Sequence, residues 1–303
     1  MKIFRIGTRG SPLALAQTQE VIQALVRHHS FLQDRLEVVP IKTAGDTIVD
    51  RSLVDLGGKS LFTKEIEGAL LKKDIDFAVH SMKDMTSEDT LGISVPAMLE
   101  REDPRDALVT RQGSSFNDLP QGTLFGTSSL RRQAHVLHHY PHFRVVALRG
   151  NVHTRLQKIE RGEIDATLLA VAGLKRLGLF TDEIQPLSLE DCLPAVAQGA
   201  IGIQCRENDN EVRELLRSLN HHPTFQAVTA ERAFMRALNG SCRMPIAAFG
   251  YLDGEMLFLK GLTSHPQGDH RRMVSHKGLA VHAETIGREA ACMIQEKKWP
   301  VSS

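Results

Sequence analysis

Residues Ile3–Pro12, IFRIGTRGSP, decide the fold because they join a strand to a helix through a short polar loop. Apolar residues over 3–7 predict a strand. Ser11 followed by Pro12 is typical of a helix N-cap and first helical position. Apolar side chains then recur on one face of the following helix. The stretch therefore predicts a β–α unit at the start of the chain.

The alternation of strands and helices continues beyond this unit. Strands are predicted over 36–41 and 76–80, with a helix over about 63–73 between them in the sequence. Strands separated by helices are typical of an α/β layer fold with parallel strands.

Two motifs of the opening segment return in the same order further along the chain. Residues 125–130, FGTSSL, resemble the segment that begins at Ile6, and residues 163–168, EIDATL, match residues 74–79, DIDFAV. Repetition of this kind predicts two similar α/β lobes enclosing a cleft. The polar stretch 100–106 is a candidate hinge between them.

The pattern changes towards the C-terminus. A helix is predicted up to Leu238, followed by strands over 246–251 and 256–262 that Asp253-Gly254 joins as a hairpin. A last amphipathic helix is predicted over about 280–297. The predicted fold class is α/β, with two α/β domains and a smaller C-terminal α+β domain. The predicted domain boundaries are 1–99 with 200–217, 105–194 and 222–303.

The composition is that of a globular protein and excludes several classes of function. The 303 residues are 42% hydrophobic and 24% charged, and 37 basic against 36 acidic residues leave a formal charge of +1. This balance gives no case for binding nucleic acid or an anionic membrane, and one Trp and two Tyr offer few rings for stacking on bases. The N-terminus lacks a signal peptide's apolar core, and no apolar run approaches 18 residues, so we expect a cytoplasmic protein.

The four cysteines are far apart and have no metal-ligand spacing, so neither a disulfide framework nor a metal site is expected. Only Cys242, in the loop Gly240–Arg243, has a setting in which a thiol is exposed enough to react. Arg243 beside it favours the thiolate. The alternative is a buried small hydrophobic residue, which is the commoner role of a lone cysteine.

Arginines are concentrated near predicted helix starts, where backbone N–H groups and guanidinium forks together suit carboxylates or phosphates. The alternative for any one of them is a solvated charged face. Asn151 is a candidate cap for the helix that follows Gly150. The arginines are Arg131, Arg132, Arg149, Arg155 and Arg176 in the second lobe and Arg9 in the first.

Two further segments carry candidate chemistry. Residues 79–84, VHSMKD, follow a buried strand, so their polar side chains lie at its carboxyl end, where open α/β sheets bind ligands. Asp84 there is suited to face a developing cation or to accept a proton; the alternative is a helix cap. Residues 57–60, GGKS, are not a P-loop, because Leu53 stands where that motif needs glycine. They are either a mobile loop with Lys59 or an exposed turn.

Many motifs occur in one order along nearly the whole chain: 8–15 (TRGSPLAL), 57–59 (GGK), 80–84 (HSMKD), 101–106 (REDPRD), 126–132 (GTSSLRR), 148–152 (LRGNV), 170–176 (AVAGLKR), 193–199 (LPAVAQG) and Cys242 before Pro245. Together they resemble the porphobilinogen deaminase family.

The resemblance implies three domains, the first two like periplasmic binding proteins around the active cleft and the third holding the cofactor. It implies a monomeric transferase of heme biosynthesis, a hydroxymethylbilane synthase. Such an enzyme joins four porphobilinogen molecules head to tail into a linear tetrapyrrole and releases ammonia. It further implies that Cys242 carries a dipyrromethane cofactor, made from substrate, in thioether linkage, and that Asp84 is the main catalytic group.

The remaining site residues follow by matching the family's motifs. Four positions depart from the family's pattern, namely Asp55, Ser60, Thr86 and Ser241, and of these Asp55 and Ser60 put the charge and mobility of the Lys59 loop in doubt. The resemblance assigns cofactor binding to Ser81, Lys83, Thr127, Ser129, Arg131 and Arg132, and substrate binding to Arg9, Ser11, Lys59, Arg149, Arg155, Arg176 and Gln198.

Elementary chemistry explains why these residue types serve. Each pyrrole carries an acetate and a propionate, so a growing chain accumulates carboxylates that arginines hold bidentately. A carboxylate stabilises the cation left when ammonia departs. A non-catalytic protein that captures a small carboxylate between two lobes is the alternative, although it gives Cys242 no role. A nucleic-acid-binding module is disfavoured by charge and by the shortage of aromatic rings.

Overall fold

The computed structural model describes residues 2–47, 62–111, 115–240 and 244–296. The chain divides into two compact units, the first made of residues 1–102 and 199–225 and the second of residues 103–198 and 226–303. The strands are β1 (Phe4–Arg9), β2 (Leu36–Ile41), β3 (Phe77–Ser81), β4 (Ile93–Met98), β5 (Asp106–Thr110), β6 (Leu124–Gly126), β7 (Arg144–Val146), β8 (Ala166–Ala170), β9 (Ile201–Arg206), β10 (Ile246–Asp253), β11 (Met256–Thr263) and β12 (Arg272–Leu279). The helices are α1 (Pro12–His28), α2 (Ala44–Thr47), α3 (Lys64–Leu71), α4 (Leu130–His139), α5 (Val152–Glu160), α6 (Val171–Arg176), α7 (Asn210–Arg217), α8 (His222–Ala237) and α9 (Ala283–Glu296).

The first unit is built on a sheet with the strand order β2-β1-β3-β9-β4. The strands β2, β1 and β3 are parallel, and β9 runs antiparallel to β3. Helix α1 begins where the sequence predicts, because the Ser11 hydroxyl accepts a hydrogen bond from the Ala14 amide. Val21 and Leu25 of α1 are fully buried in the core of this unit. The hydrophobic face of α1 thus packs against the strands β1 and β3 of this sheet.

The α/β lobe of the second unit repeats this arrangement. Its sheet has the order β5-β8-β6-β7, in which β7, β6 and β8 are parallel and β5 is antiparallel to β8. Each lobe therefore has three parallel strands, with β1 in the middle of the first set and β6 in the middle of the second. In each lobe an antiparallel strand, β9 or β5, lies beside the third parallel strand. The predicted pair of similar α/β lobes is confirmed at the level of topology.

The repeated motifs occupy equivalent places and make the same contacts. Asp76 accepts a hydrogen bond from the Arg5 amide at 2.7 Å, and Asp165 accepts one from the Leu124 amide at 2.7 Å. A Cβ at Gly7 would collide with Ile75, and a Cβ at Gly126 would collide with Ile164. In both lobes the isoleucine side chain packs directly on the strand backbone at the glycine, so a Cβ there would require the end of that side chain to move.

The C-terminal part of the second unit is an antiparallel sheet of order β10-β11-β12 with helix α9 against it. The predicted hairpin at Asp253-Gly254 is confirmed, and Gly254 adopts a φ of +58° there. The sequence analysis did not predict β12. Its side chains alternate only weakly in polarity, and its pairing with β11 is what makes it a strand. The predicted α/β class with a C-terminal α+β domain is confirmed, whereas the three-domain boundaries stay predictions. Within the described ranges, no helix is long and apolar enough to span a membrane.

Candidate active site

In the first unit, Arg9 at the end of β1 and Asp84 after β3 meet at the carboxyl edge of the sheet. The nearest guanidinium nitrogen of Arg9 is 3.8 Å from the Asp84 carboxylate, and their side chains are 23% and 38% exposed. The Arg9 guanidinium also lies over the Phe62 ring, 4.3 Å from its centroid. The pair is loose and open to solvent, so a ligand is able to reach both charges.

A pocket open to solvent lies beside this pair within the first unit. Its lining includes Ser11 and Ser81, two of the predicted binding residues. The Ser81 hydroxyl and the Gln17 amide are hydrogen-bonded at 2.8 Å, and Gln17 is buried. Gln17 escaped the sequence analysis because it lies inside a regular helix with no motif around it. His80, also in the lining, is buried, and this burial lowers its pKa to about 4, so it is neutral at pH 7.

In the second unit, Arg131 and Arg132 at the start of α4 both close on Asp106. Nη2 of Arg131 lies 2.6 Å from one carboxylate oxygen, and Nη2 of Arg132 lies 2.8 Å from the other. Nε of Arg132 donates to Asp106 as well, at 3.3 Å. Arg131 uses its other terminal nitrogen, Nη1, on the Leu193 carbonyl at 2.8 Å. Nη1 of Arg132 therefore takes no part in the Asp106 contacts. Both terminal nitrogens of Arg131 are hydrogen-bonded, Nη2 to Asp106 and Nη1 to the Leu193 carbonyl.

Asp106 is fully buried and is the centre of this cluster. Burial by itself would raise its pKa, but the two guanidinium groups outweigh burial and hold the pKa well below its usual range. Gln198, another predicted site residue, donates to Asp106 at 2.8 Å. Asp106 is predicted from the sequence only as the end of a hinge segment. The feature of the sequence that could have identified Asp106 as a site residue is its place at the end of the 101–106 motif.

The N-terminus of α4 is shaped by hydroxyl groups. Ser129 is the N-cap and accepts a hydrogen bond from the Arg132 amide at 3.4 Å, and Thr127 accepts one from the Ser129 amide at 3.1 Å. Ser128 donates to the Leu148 carbonyl at 3.0 Å. These contacts fix the loop between β6 and α4, so the first turn of α4 presents amide donors together with Arg132.

The other three predicted arginines of this lobe, Arg149, Arg155 and Arg176, are partly buried. Asn151 caps α5 by accepting a hydrogen bond from the Thr154 amide at 2.9 Å, which confirms the predicted cap. Arg155, one turn into α5, donates its Nε to the Gly150 carbonyl at 2.9 Å. Arg149 precedes this cap and Arg176 ends α6. The structure thus places Arg149 and Arg155 around one helix start.

Two predicted residues, Lys59 and Cys242, lie outside the described residues, as do Asp55, Ser60 and Ser241. The other three cysteines differ sharply from one another. Cys192 and Cys205 are 2% and 0% exposed, and burial raises the pKa of each thiol to about 11. Cys192 additionally contacts Arg131 and Asp106. Cys292 is exposed on α9.

Comparisons with known proteins match nearly the whole chain to one family. The family model described as porphobilinogen deaminase, dipyromethane cofactor binding domain, matches residues 4–214, and the model of the porphobilinogen deaminase C-terminal domain matches residues 225–296. The chain is 48% identical to the chloroplastic porphobilinogen deaminase of Pisum sativum over 95% of this chain and 80% of that protein. It is 46% identical to the porphobilinogen deaminase of Nitrobacter hamburgensis over 96% of this chain and 92% of that protein.

Among solved structures, the periplasmic VFT2 domain of Bordetella pertussis BvgS is similar with a TM-score of 0.42 and 15% identity, over 72% of this chain and 86% of that one. That similarity is too low to bear on function. The sequence matches place the chain among the transferases of tetrapyrrole biosynthesis. It belongs to the porphobilinogen deaminase family.

Proposed function

We propose that this chain joins four porphobilinogen molecules head to tail into hydroxymethylbilane, with release of ammonia, and starts from a dipyrromethane that Cys242 holds in thioether linkage. The matched family model, which is described by its dipyromethane cofactor, carries the proposal. Among the described residues, three support it most directly: Arg9 and Asp84 at an open sheet edge and Arg132 at a helix start.

The residues at the start of α4 fit a cofactor with acetate and propionate side chains. Nη1 of Arg132 is outside the Asp106 cluster, Ser129 offers a hydroxyl, and the first turn of α4 contributes the positive end of a helix dipole. Nε of Arg131 is a buried donor with no hydrogen-bond partner among the described residues. We assign Arg132, Thr127 and Ser129 to holding the cofactor's carboxylates, with Arg131 as their support. Lys83 and Ser81 of the first unit have the same assignment.

We assign binding of the substrate's carboxylates to the partly exposed arginines. Arg149 and Arg155 flank the N-terminus of α5, where the positive end of the helix and the guanidinium groups together favour an anion. Arg9 and Ser11 serve the same purpose in the first unit, and Arg176 and Lys59 complete the set. Gln198, which is buried and donates to Asp106, supports the arginine cluster instead. Bound dipyrromethane supplies the pyrrole carbon to which the first substrate unit is joined.

Asp84 carries the chemical step in this proposal. Positive charge develops on the substrate as ammonia leaves, and a carboxylate oxygen fixed beside it stabilises that charge without needing to reorganise. Arg9 lies 3.8 Å away, near enough to orient the carboxylate but not to neutralise it in a tight bidentate pair. The same carboxylate is suited to accept a hydrogen bond from a pyrrole N–H.

Cys242 is the proposed anchor because the other cysteines fit poorly. A thiolate is the nucleophile, and the raised pKa of about 11 leaves Cys192 and Cys205 as thiols at pH 7. Cys205 is also part of the hydrophobic core of the first unit. Cys292 is exposed on a helix that no predicted site residue shares.

We further propose that the protein is a cytoplasmic monomer that binds neither nucleic acid nor membranes.

Intact-protein mass tests this proposal. We expect the purified chain to be heavier than its sequence by one two-ring adduct, and Cys242→Ser to have the unmodified mass. Cys292→Ser is the matched control, because it changes an exposed thiol on a helix that no predicted site residue shares and should keep the adduct. An active wild-type protein of unmodified mass, or an adduct that persists in Cys242→Ser, contradicts the proposal. A carboxylate-binding protein without catalysis would show no adduct and no turnover of porphobilinogen.

A further inference from the structure

Glu231 is a fully buried carboxylate in helix α8 that holds two backbone amides. Its Oε2 accepts a hydrogen bond from the Ala197 amide at 2.6 Å, and its Oε1 accepts one from the Gly250 amide at 2.8 Å. Gly250 already lies against α8, because a Cβ added there would come within 3.1 Å of the Ala227 carbonyl oxygen. The position of Ala197 is therefore the one that the Glu231 contact controls most.

Ala197 needs such a contact because its backbone is strained. Its φ is +60°, in the left-handed region that residues with a Cβ rarely adopt. A hydrogen bond to a buried carboxylate is among the stronger ones and stabilises this conformation. Without the hydrogen bond to Glu231, we expect Ala197 to relax to negative φ. This change of the backbone would reorient the next residue, Gln198.

The residue that follows is Gln198, whose side chain connects this loop to the arginine cluster. Gln198 is 1% exposed, and its Nε2 donates to the Pro104 carbonyl at 2.7 Å and to Asp106 at 2.8 Å. Asp106 in turn receives Arg131 and Arg132. A displacement of Gln198 therefore removes one hydrogen bond from the carboxylate that both guanidinium groups share.

We infer that Glu231 is a positioning residue: through Ala197, Gln198 and Asp106 it sets the geometry of Arg132 for the cofactor's carboxylates. This inference rests on the proposed function, which gives Arg132 that ligand. Glu231 belongs to the helix that precedes the Cys242 loop in the sequence, so one helix both leads to the anchor and orients an arginine that holds the same group.

The test measures how fast the full chain acquires its adduct. Protein is expressed in cells that make no porphobilinogen, porphobilinogen is then added, and intact mass is followed over time. Glu231→Gln places an NH₂ donor opposite one of the two amide donors, so one hydrogen bond to a charged group is lost. We expect this variant to acquire the adduct at least about tenfold more slowly than wild type. Glu231→Gln combined with Ala197→Gly should return to within about threefold of wild type, because glycine adopts positive φ without support.

Glu231→Asp is the second variant in case Glu231→Gln does not fold. It keeps the charge and withdraws the carboxylate by one methylene, and we expect a smaller slowing that Ala197→Gly also restores. Asp76→Asn is the matched control, since Asp76 is a buried carboxylate of the first unit that accepts a hydrogen bond from the Arg5 amide at 2.7 Å. It should lower stability and leave the rate per folded molecule unchanged.

The outcomes separate this inference from the proposed function. If wild type acquires the adduct and Cys242→Ser does not, a wild-type rate in Glu231→Gln and Glu231→Asp overturns the inference alone. A slow rate that Ala197→Gly leaves slow overturns it as well. If Cys242→Ser acquires the adduct, the proposed function fails and the inference fails with it.

Discussion

The two α/β repeats share a frame but differ at the carboxyl ends of their parallel strands. In the first repeat, Arg9 and Asp84 are 3.8 Å apart and partly open to water. In the second, Arg131 and Arg132 close on Asp106, which is fully buried. The same β–α–β arrangement thus carries an open ion pair in one copy and a sealed cluster in the other.

This difference teaches which charges serve chemistry and which serve geometry. An exposed ion pair contributes little to stability, so altering one of its groups costs the fold little. A buried pair with one partner removed leaves an uncompensated charge, which is strongly destabilising. We therefore expect substitutions in the open pair to change activity without changing stability, and substitutions in the sealed cluster to change both.

The largest effect on stability is expected for Asp106→Asn. The substitution leaves the guanidinium groups of Arg131 and Arg132 buried without their counter-charge, so we expect the free energy of unfolding to fall by about 3–5 kcal/mol. Urea unfolding measures it. Asp84→Asn is the control, because it is the same chemical change in the open pair and should cost less than about 1 kcal/mol. Equal losses in the two variants would remove the distinction between the repeats.

The next effect is on the rate and concerns the open pair. Asp84→Asn keeps the shape of the side chain but removes its charge, and we expect porphobilinogen consumption to slow on the order of 10²–10³-fold with an unchanged unfolding midpoint. Asp165→Asn, an exposed aspartate just before β8, is the control and should keep the full rate. Near-normal turnover in Asp84→Asn would move the chemical step to another residue.

How much of the fold and the site the sequence predicts depends on how far apart along the chain the contacting residues lie. The helix starts at Ser11 and Asn151 are predictable because a cap and its amide are three residues apart. The repeat is predictable because strand ends and their glycines are local motifs. Asp106 is different: its partners Arg132 and Gln198 are 26 and 92 residues away, and no local pattern shows that it is buried.

The same limit applies to strands and to strained residues. Strand β12 is defined by its pairing with β11 rather than by its own alternation. The positive φ of Ala197 has no signal in the sequence, since an alanine there resembles any other alanine. The sequence thus predicts the types of residue at the site, whereas their division into open and sealed groups depends on tertiary packing.

The smallest effect compares one histidine in each repeat, His80, which is buried, and His135, which is partly buried. Burial lowers the pKa of His80 in the first repeat to about 4 and that of His135 in the second to about 3. The folded protein therefore binds fewer protons than the unfolded chain below pH 6.5, and stability falls as the pH falls from there toward the folded pKa values. Asp106, with its lowered pKa, loses stabilising charge only below about pH 4, outside this window. Between pH 6.5 and 5.5 each histidine should cost about 1 kcal/mol of unfolding free energy.

Urea unfolding at these two pH values measures the loss in wild type, His80→Gln and His135→Gln. Each substitution should remove about 1 kcal/mol of the pH dependence, because each imidazole is kept neutral in the folded protein; His139, whose pKa burial also lowers, adds a further loss that both variants keep. His153→Gln, at an exposed position of α5, is the control and should leave the dependence unchanged. If one histidine variant abolishes the whole dependence and the other none, only one repeat opens its histidine to water on unfolding in this pH range. The two repeats would then differ in stability as well as in the exposure of their charges.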